Sequence, residues 1–289
     1  MKWYKKTAFL LALPWLVTFV VFWLFPLVYS FIIGFTDYEL LSDSINWVGF
    51  ENYKTLFSDE VFLSSLSNTF IFVFGTIPFT TIIALLLALL VNGNYKGRDF
   101  FRSAFFMPSV TSMVVIALIF TNLYQRGGYI AMLVQMLGFN TPEYGFLFDK
   151  NTALYSIMAM DIWMSVGYYM LIFLAGLKSI PDELYEAADI SGASQSKKFF
   201  SITLPLLKPV ALFILVVNSI KSFQVFQEIF VMTKGKFDTS TAVYYIYDTG
   251  LTTNFQFGYV SAAAYILFII IGLFSLTQFL LMRRKQPLW

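Results

Sequence analysis

Cysteine and histidine are both absent from the chain. Without them there are no disulfides, no thiolate or imidazole metal sites, and no Ser/His or Cys/His nucleophilic pair, which removes most hydrolytic chemistries. A G-x-x-x-x-G-K-S/T phosphate loop is missing as well, so nucleotide is not held by that route. Charge is scarce: Asp, Glu, Lys and Arg make up 12% of the 289 residues, against roughly 25% in soluble domains.

What is present is apolar. Hydrophobic residues account for 58% of the chain, aromatic residues for 20%, and the mean hydropathy is +0.71. A bilayer is the natural solvent for such a polymer. A membrane span needs about 20 apolar residues at a rise of about 1.5 Å each. Six stretches meet that requirement, at 8–33, 69–91, 104–124, 152–177, 209–232 and 257–282. The first follows Lys2, Lys5 and Lys6 in the manner of a signal peptide, yet its 26 residues exceed the apolar core of about 7–15 residues in such peptides, so it reads as a retained span. Pro14, Pro26 and Pro78 fall within spans; the carbonyls they free need neighbours or water, which favours a packed, kinked bundle. No connection is long enough for a separate soluble domain. The expectation is an all-α integral membrane protein, one transmembrane domain over residues 1–289.

The few charges are sorted. The N-terminus (Lys2, Lys5, Lys6), the second connection (Lys96, Arg98, Arg102), the fourth (Lys178, Lys197, Lys198, Lys208) and the tail (Arg283, Arg284, Lys285) hold 13 of the 19 basic residues, whereas the alternate connections hold five. The positive-inside rule places both termini in the cytoplasm. The first external loop is acidic, with Asp37, Glu39, Asp43, Glu51, Asp59 and Glu60 against Lys54. Its Trp47, Phe50 and Tyr53 fit either a small lid or interface helix, or a solvated loop with aromatic rings at headgroup level.

The fourth connection, 178–208, is the most informative segment. Ser179 with Asp182 resembles a capping box and Pro181 suits a first-turn position, so a helix is predicted to start there and to stop at Gly192. At about 100° per residue, Leu184, Ala187, Ala188 and Ser191 share one face, which is suited to close packing, and Tyr185, Glu186 and Asp189 face a partner. A second short helix, Ser194 to Ser201, is predicted to end before Leu204-Pro205. Physics alone leaves open an interfacial hairpin that merely closes a loop.

The residues Glu186-Ala187-Ala188, Gly192, Ile202 and Leu204-Pro205 match the spacing of the EAA loop of ABC-importer permeases. The stretches LPWLVTFVVFWLFPLVYSF, WVGFENYKTLF, RSAFFMPS and SFQVFQEIFVMT resemble the carbohydrate-uptake branch, to which the maltose and glycerol-phosphate permeases belong. Gly235-Lys236-Phe237 stands where many relatives carry Gly-Gly-Pro, so the turn after the fifth span is expected to be built differently. The resemblance implies six spans with a cytoplasmic coupling loop, the type I ABC importer permease fold. It implies that Glu186, Ala187, Ala188, Gly192, Leu204 and Pro205 couple the spans to a separate ATPase. It also implies a second permease, in a heterodimer more readily than a homodimer, two ATPase copies that use ATP and Mg, and an extracytoplasmic solute-binding protein. Membrane lipid surrounds the assembly; no cofactor, metal or nucleic acid is expected on this chain, nor any enzymatic site.

Ionisable residues inside spans are functional suspects. Asp161 and Lys221 fall roughly 13 Å and 16 Å below the outer boundary by helix rise and are placed to pair; Glu228 is the third. Either they form a structural ion pair or they belong to a solute pocket with Trp163, Ser165, Tyr168, Tyr169, Ser222, Gln224 and Gln227. Hydroxyls of a sugar take hydrogen bonds from such groups and its C–H faces lie on aromatic rings. Resemblance to the maltose permease places Asp161, Met164, Ser165, Tyr168 and Ser222 at sugar-contact positions. A neutral sugar does not require Lys221, so an acidic or phosphorylated sugar is the other option. A secondary transporter or channel would share the spans without the elbow, and an intramembrane aspartyl protease would need a second aspartate beside Asp161.

Overall fold

The computed structural model describes residues 2–40, 44–253 and 255–283. Asp43, Arg284 and Lys285, counted above among the sorted charges, lie outside the described residues.

The first span runs as α1 (Lys2–Phe19), a π turn (Val20–Leu24) and α2 (Phe25–Ile33). After the short α3 (Glu51–Leu56) comes α4 (Glu60–Asn92), which starts nine residues earlier than the apolar run at 69 because Asp59 caps it. The Asp59 carboxylate accepts from the amides of Val61 and Phe62 at 2.8 and 3.1 Å. Helices α5 (Arg98–Val110) and α6 (Met113–Leu123) follow, then α7 (Tyr129–Met136) and α8 (Ala153–Lys178). The fourth connection holds α9 (Asp182–Ile190) and α10 (Gln195–Lys198), which leads through a π turn (Phe199–Thr203) into α11 (Leu204–Phe223). The described residues close with α12 (Gln227–Met232), α13 (Ala242–Tyr247) and α14 (Phe257–Arg283). Among the described residues five elements are long and apolar enough to cross a membrane, and six if the bent pair α5/α6 counts as one.

Two predicted spans are not continuous. The stretch 104–124 is broken between Val110 and Met113, with a bend of 96°. Helix α5 ends in a tight turn, with the Thr111 amide bonding Pro108 O three residues back and Thr111 extended at ψ 148°. The stretch 209–232 is broken at Gln224–Phe226, between α11 and α12.

Conversely, the helix predicted to stop before Leu204-Pro205 continues. In the π turn the Leu204 amide donates to Phe199 O, five residues back. Phe25 does the same to Val20 O ahead of Pro26. Widening the turn by one residue moves aside the carbonyl that a proline ring would strike, so the helix survives its proline.

The chain folds as two compact units, Met1–Leu63 with Tyr245–Ile269 and Ser64–Tyr244 with Ile270–Trp289. In the first, Trp47, Phe50 and Tyr53 form a cluster around Phe35, with Trp47 stacked on it at 5.6 Å. Gly258 allows the helix start to meet the backbone of the loop, where a Cβ would lie 2.1 Å from Thr36 O. In the second unit α8 is the hub. At Gly167 it crosses α5 so closely that a Cβ would sit 2.0 Å from Phe105 O. Small residues permit such approach between spans. Val166, Met170 and Phe173 pack there with Ala84 and Ala88 of α4 and Leu207 and Ile214 of α11. Nearer the N-terminal end of α8, Ile157 and Met160 pack with Ile116 and Ala117 of α6 and Ile229 of α12. The two fragments left by the broken spans therefore share one core.

The turn after α12 has an unusual backbone. Lys234, Gly235, Phe237 and Asp238 have φ of 54°, 66°, 57° and 57°. Lys234 closes α12 in the left-handed region, its amide bonding Ile229 O at 2.8 Å. A side chain at Gly235 would strike the Tyr244 ring at 2.3 Å.

Candidate functional site: a split charge cluster and a surface elbow

Three charged side chains lie at membrane depth, and the structure gathers them in the second unit. Lys221 Nζ donates to Asp161 Oδ1 at 2.7 Å and to Ser165 Oγ at 2.6 Å, and Ser165 Oγ lies 3.3 Å from Asp161 Oδ1. Asp161 and Ser165 are one turn apart on α8, so both face the same point on α11. The Asp161 side chain is 2% exposed while that of Lys221 is 42% exposed. Glu228 is buried and lies within electrostatic range of Asp161 and Lys221. Lys221 sits just before the break in the fifth span and Glu228 just after it. The Gln224 amide still reaches Lys221 O, and Val225 O accepts from Thr241 Oγ1 at 2.9 Å. Side chains supply what the interrupted helix cannot, as membrane-depth backbone requires.

The other candidates divide. Trp163, Tyr168, Gln224 and Gln227 are exposed and Met164 is half-buried. Trp163 packs on Phe120 with ring centres 5.3 Å apart. Ser222 faces away from the trio, toward Thr76 Oγ1 at 3.4 Å and Asn218 Oδ1 at 3.5 Å. Thr76 was not among the expected residues; one threonine among the four of the run 69–91 gives no signal without its partner.

The elbow at the fourth connection forms, with three corrections. Ser179 does not cap α9: its hydroxyl donates to Gly176 O at the end of α8, and Pro181 occupies the cap position with no side-chain bond. The real capping serine is Ser194, whose Oγ accepts from the Lys197 amide at 3.3 Å. The faces of α9 are reassigned in part, Glu186 being outward and Ala188 half-buried as expected. Tyr185 turns inward, its hydroxyl 2.8 Å from Thr203 Oγ1, and Asp189 pairs with the buried Lys198. Leu184, Glu186, Ala187 and Ile190 are outward, Ile190 being 90% exposed. Two polar partners on α10 and the π turn outweigh the small-residue packing that periodicity alone favours. Lys198 had registered only as a cytoplasmic charge.

Gly192 has φ +71°, and a Cβ there would meet nothing within 4 Å. The glycine is needed for its backbone conformation, not for space. Leu204 is half-buried and Pro205 exposed at the start of α11. From Gln195 through the π turn to Phe223 the helix is unbroken, so the elbow and Lys221 stand on one lever.

A bundle of discontinuous spans, with buried charge at the breaks and a helical elbow at one surface, defines a membrane transport subunit. The chain belongs to the family of binding-protein-dependent transport system inner membrane components, whose model matches residues 60–286. It is 34% identical over 278 residues to the arabinooligosaccharides transport system permease protein AraP of Bacillus subtilis, covering 94% of this chain and 87% of that one. The multiple sugar-binding transport system permease protein MsmF of Streptococcus mutans is 32% identical over 273 residues, 94% of this chain and 93% of that one. In fold it matches a chain of a bacterial ABC transporter involved in the import of the acidic polysaccharide alginate, with a TM-score of 0.85, 23% identity, and coverage of 99% and 100%.

Proposed function

We propose that the chain is one of two pore-forming permeases of an ATP-driven importer that carries a sugar or sugar-derived solute across the cytoplasmic membrane. The observation that carries this is the elbow mounted on the same helix as Lys221. A partner ATPase closing on the exposed Glu186, Ala187 and Leu184 face of α9 would swing α10, and the unbroken helix would deliver that motion to the pathway. Gly192 sets the angle and the Tyr185–Thr203 and Asp189–Lys198 contacts keep α9 from moving independently. Nucleotide and Mg belong to two copies of that ATPase, and this chain supplies transport rather than catalysis. A second, different permease completes the pathway, an extracytoplasmic binding protein delivers the solute, and both termini lie in the cytoplasm. The sugar assignment is supported by relatives named for arabinooligosaccharides and multiple sugars and by the exposed Trp163, Tyr168, Gln224 and Gln227, which stand within seven residues of Asp161, Lys221 or Glu228 in the chain.

The test is a pull-down from detergent-solubilised membranes with native bait and with Glu186→Lys plus Gly192→Trp. Native bait is expected to recover an ATPase and a second permease, and the variant to lose the ATPase. Recovery of no ATPase with either bait would return the chain to transporters that work without nucleotide.

A further inference from the structure

Given that importer reading, the hydrogen-bond arithmetic of the charge cluster sorts solutes by charge. We propose that Asp161, Lys221 and Glu228 select an uncharged polyhydroxy sugar and reject uronate or phosphorylated ones. Within the six apolar stretches read from the sequence, 8–33, 69–91, 104–124, 152–177, 209–232 and 257–282, the charged residue types are Lys221 against Asp161 and Glu228, so acidic groups outnumber basic ones by one. The positive group is already engaged. An ammonium has three N–H donors, and Lys221 directs one to Asp161 Oδ1 at 2.7 Å and one to Ser165 Oγ at 2.6 Å.

An ionised carboxylate or phosphate on a solute brings acceptors only. At this cluster it finds one remaining ammonium donor and the Asp161 carboxylate of its own sign, with the buried Glu228 carboxyl adding repulsion whenever it is ionised, in surroundings where charges interact more strongly than in water. Paying for release of Lys221 would leave Asp161, 2% exposed, as an unpaired buried carboxylate. A sugar hydroxyl is both donor and acceptor. It can donate to a carboxylate and accept from Lys221 without separating the pair. The exposed Gln224 and Gln227 amides extend the same neutral chemistry, and the exposed Trp163 and Tyr168 rings suit C–H faces. The likeness to a structure that imports an acidic polysaccharide is one of fold and leaves this selection unchanged.

The experiment measures binding to the purified transporter complex in detergent with the binding protein left out, so that its own selectivity does not enter. The probes are a neutral pentasaccharide and a uronate pentasaccharide, read by quenching of tryptophan fluorescence, with Trp163→Phe expected to lose most of the signal. The neutral probe is expected to bind at least about tenfold more tightly. In Asp161→Asn/Glu228→Gln, where Lys221 is free and both carboxylates are gone, the ratio is expected to fall to about one or invert. If that variant does not assemble, Glu228→Gln alone, which keeps the ion pair, is expected to lower the ratio at least about threefold. Equal or tighter uronate binding by the native complex, an unchanged ratio in an assembled variant, or binding of neither probe by a complex that retains its ATPase would each overturn the proposal while leaving the importer reading intact. Absence of the ATPase from the native complex sinks the importer reading instead.

Discussion

At the residue scale, the difference between Asp59 and Asp161 shows how surroundings decide what a carboxylate does. Asp59 caps α4 and also accepts from the hydroxyls of Tyr245 at 2.5 Å and Tyr259 at 2.8 Å. Burial pushes its carboxyl up, but those hydroxyls and the Phe62 and Val61 amides outweigh it and hold it below its ordinary value of 3.8. A carboxyl with a lowered folded value stabilises the fold above its unfolded value, and that contribution is lost as pH falls through the folded one. Asp59→Ala is therefore expected to cost about 0.5–2 kcal/mol at neutral pH, the range for a lost cap. Its deficit relative to native protein should shrink below pH 3.8, and thermal unfolding in detergent at neutral and acid pH checks both. Asp161 has one charged partner and almost no solvent. Lys221→Met strands it, at a cost of about 2–4 kcal/mol once the half-open lysine is allowed for. Adding Asp161→Asn to Lys221→Met should recover most of that loss in the same unfolding assay; if the double variant is the less stable of the two, the pair is not the reason Asp161 tolerates burial.

At the scale of elements, hydropathy located the five long apolar helices and the bent α5/α6 pair, because an apolar run of about 20 residues has no other use in a chain with so little charge. It could not see the breaks. Helix α5 stops two residues after Pro108 while Pro26 and Pro205 are absorbed by π turns, and a window average treats all three alike. The Asp161–Lys221 pairing was legible from helix rise alone. The position of Tyr185 was not, because its orientation depends on Thr203, eighteen residues away. The elbow's glycine was legible as a residue, but only the structure shows that backbone conformation, and not space, requires it. A side chain at Gly192 finds open space and must adopt φ +71°. Asn tolerates that region far better than a β-branched residue. Gly192→Asn is thus expected to keep most sugar-stimulated ATPase activity of the assembled complex, and Gly192→Val to lose most of it, without loss of assembly. Equal activity in the two would mean the left-handed turn is dispensable. Gly167→Ala is the contrasting case: its Cβ would meet the Phe105 backbone at 2.0 Å. It is expected to lower stability by about 1–3 kcal/mol, a loss to be read in thermal unfolding, by forcing α5 away from α8.

For the whole molecule, orientation rests on where the lysines and arginines fall, and the absence of cysteine makes that argument testable without background. Any single cysteine placed in the chain is the only thiol it carries. Ser58 and Asn140 are exposed in the connections assigned outside, and Asn94 and Ser196 are exposed in those assigned to the cytoplasm. A membrane-impermeant maleimide applied to intact cells is expected to label Ser58→Cys and Asn140→Cys. Asn94→Cys and Ser196→Cys should react only after permeabilisation. The bend at Thr111–Ser112 gives the experiment a second use. If α5 and α6 together cross the membrane as one broken span, Asn94 and Asn140 lie on opposite sides. If the bend returns the chain to the side it came from, the two react together, and every later connection changes side as well. Ser196, on the elbow that an ATPase must reach from the cytoplasm, would then be labelled in intact cells. The same four cysteines therefore decide the span count, the orientation and whether the elbow stands where a nucleotide-driven partner can engage it.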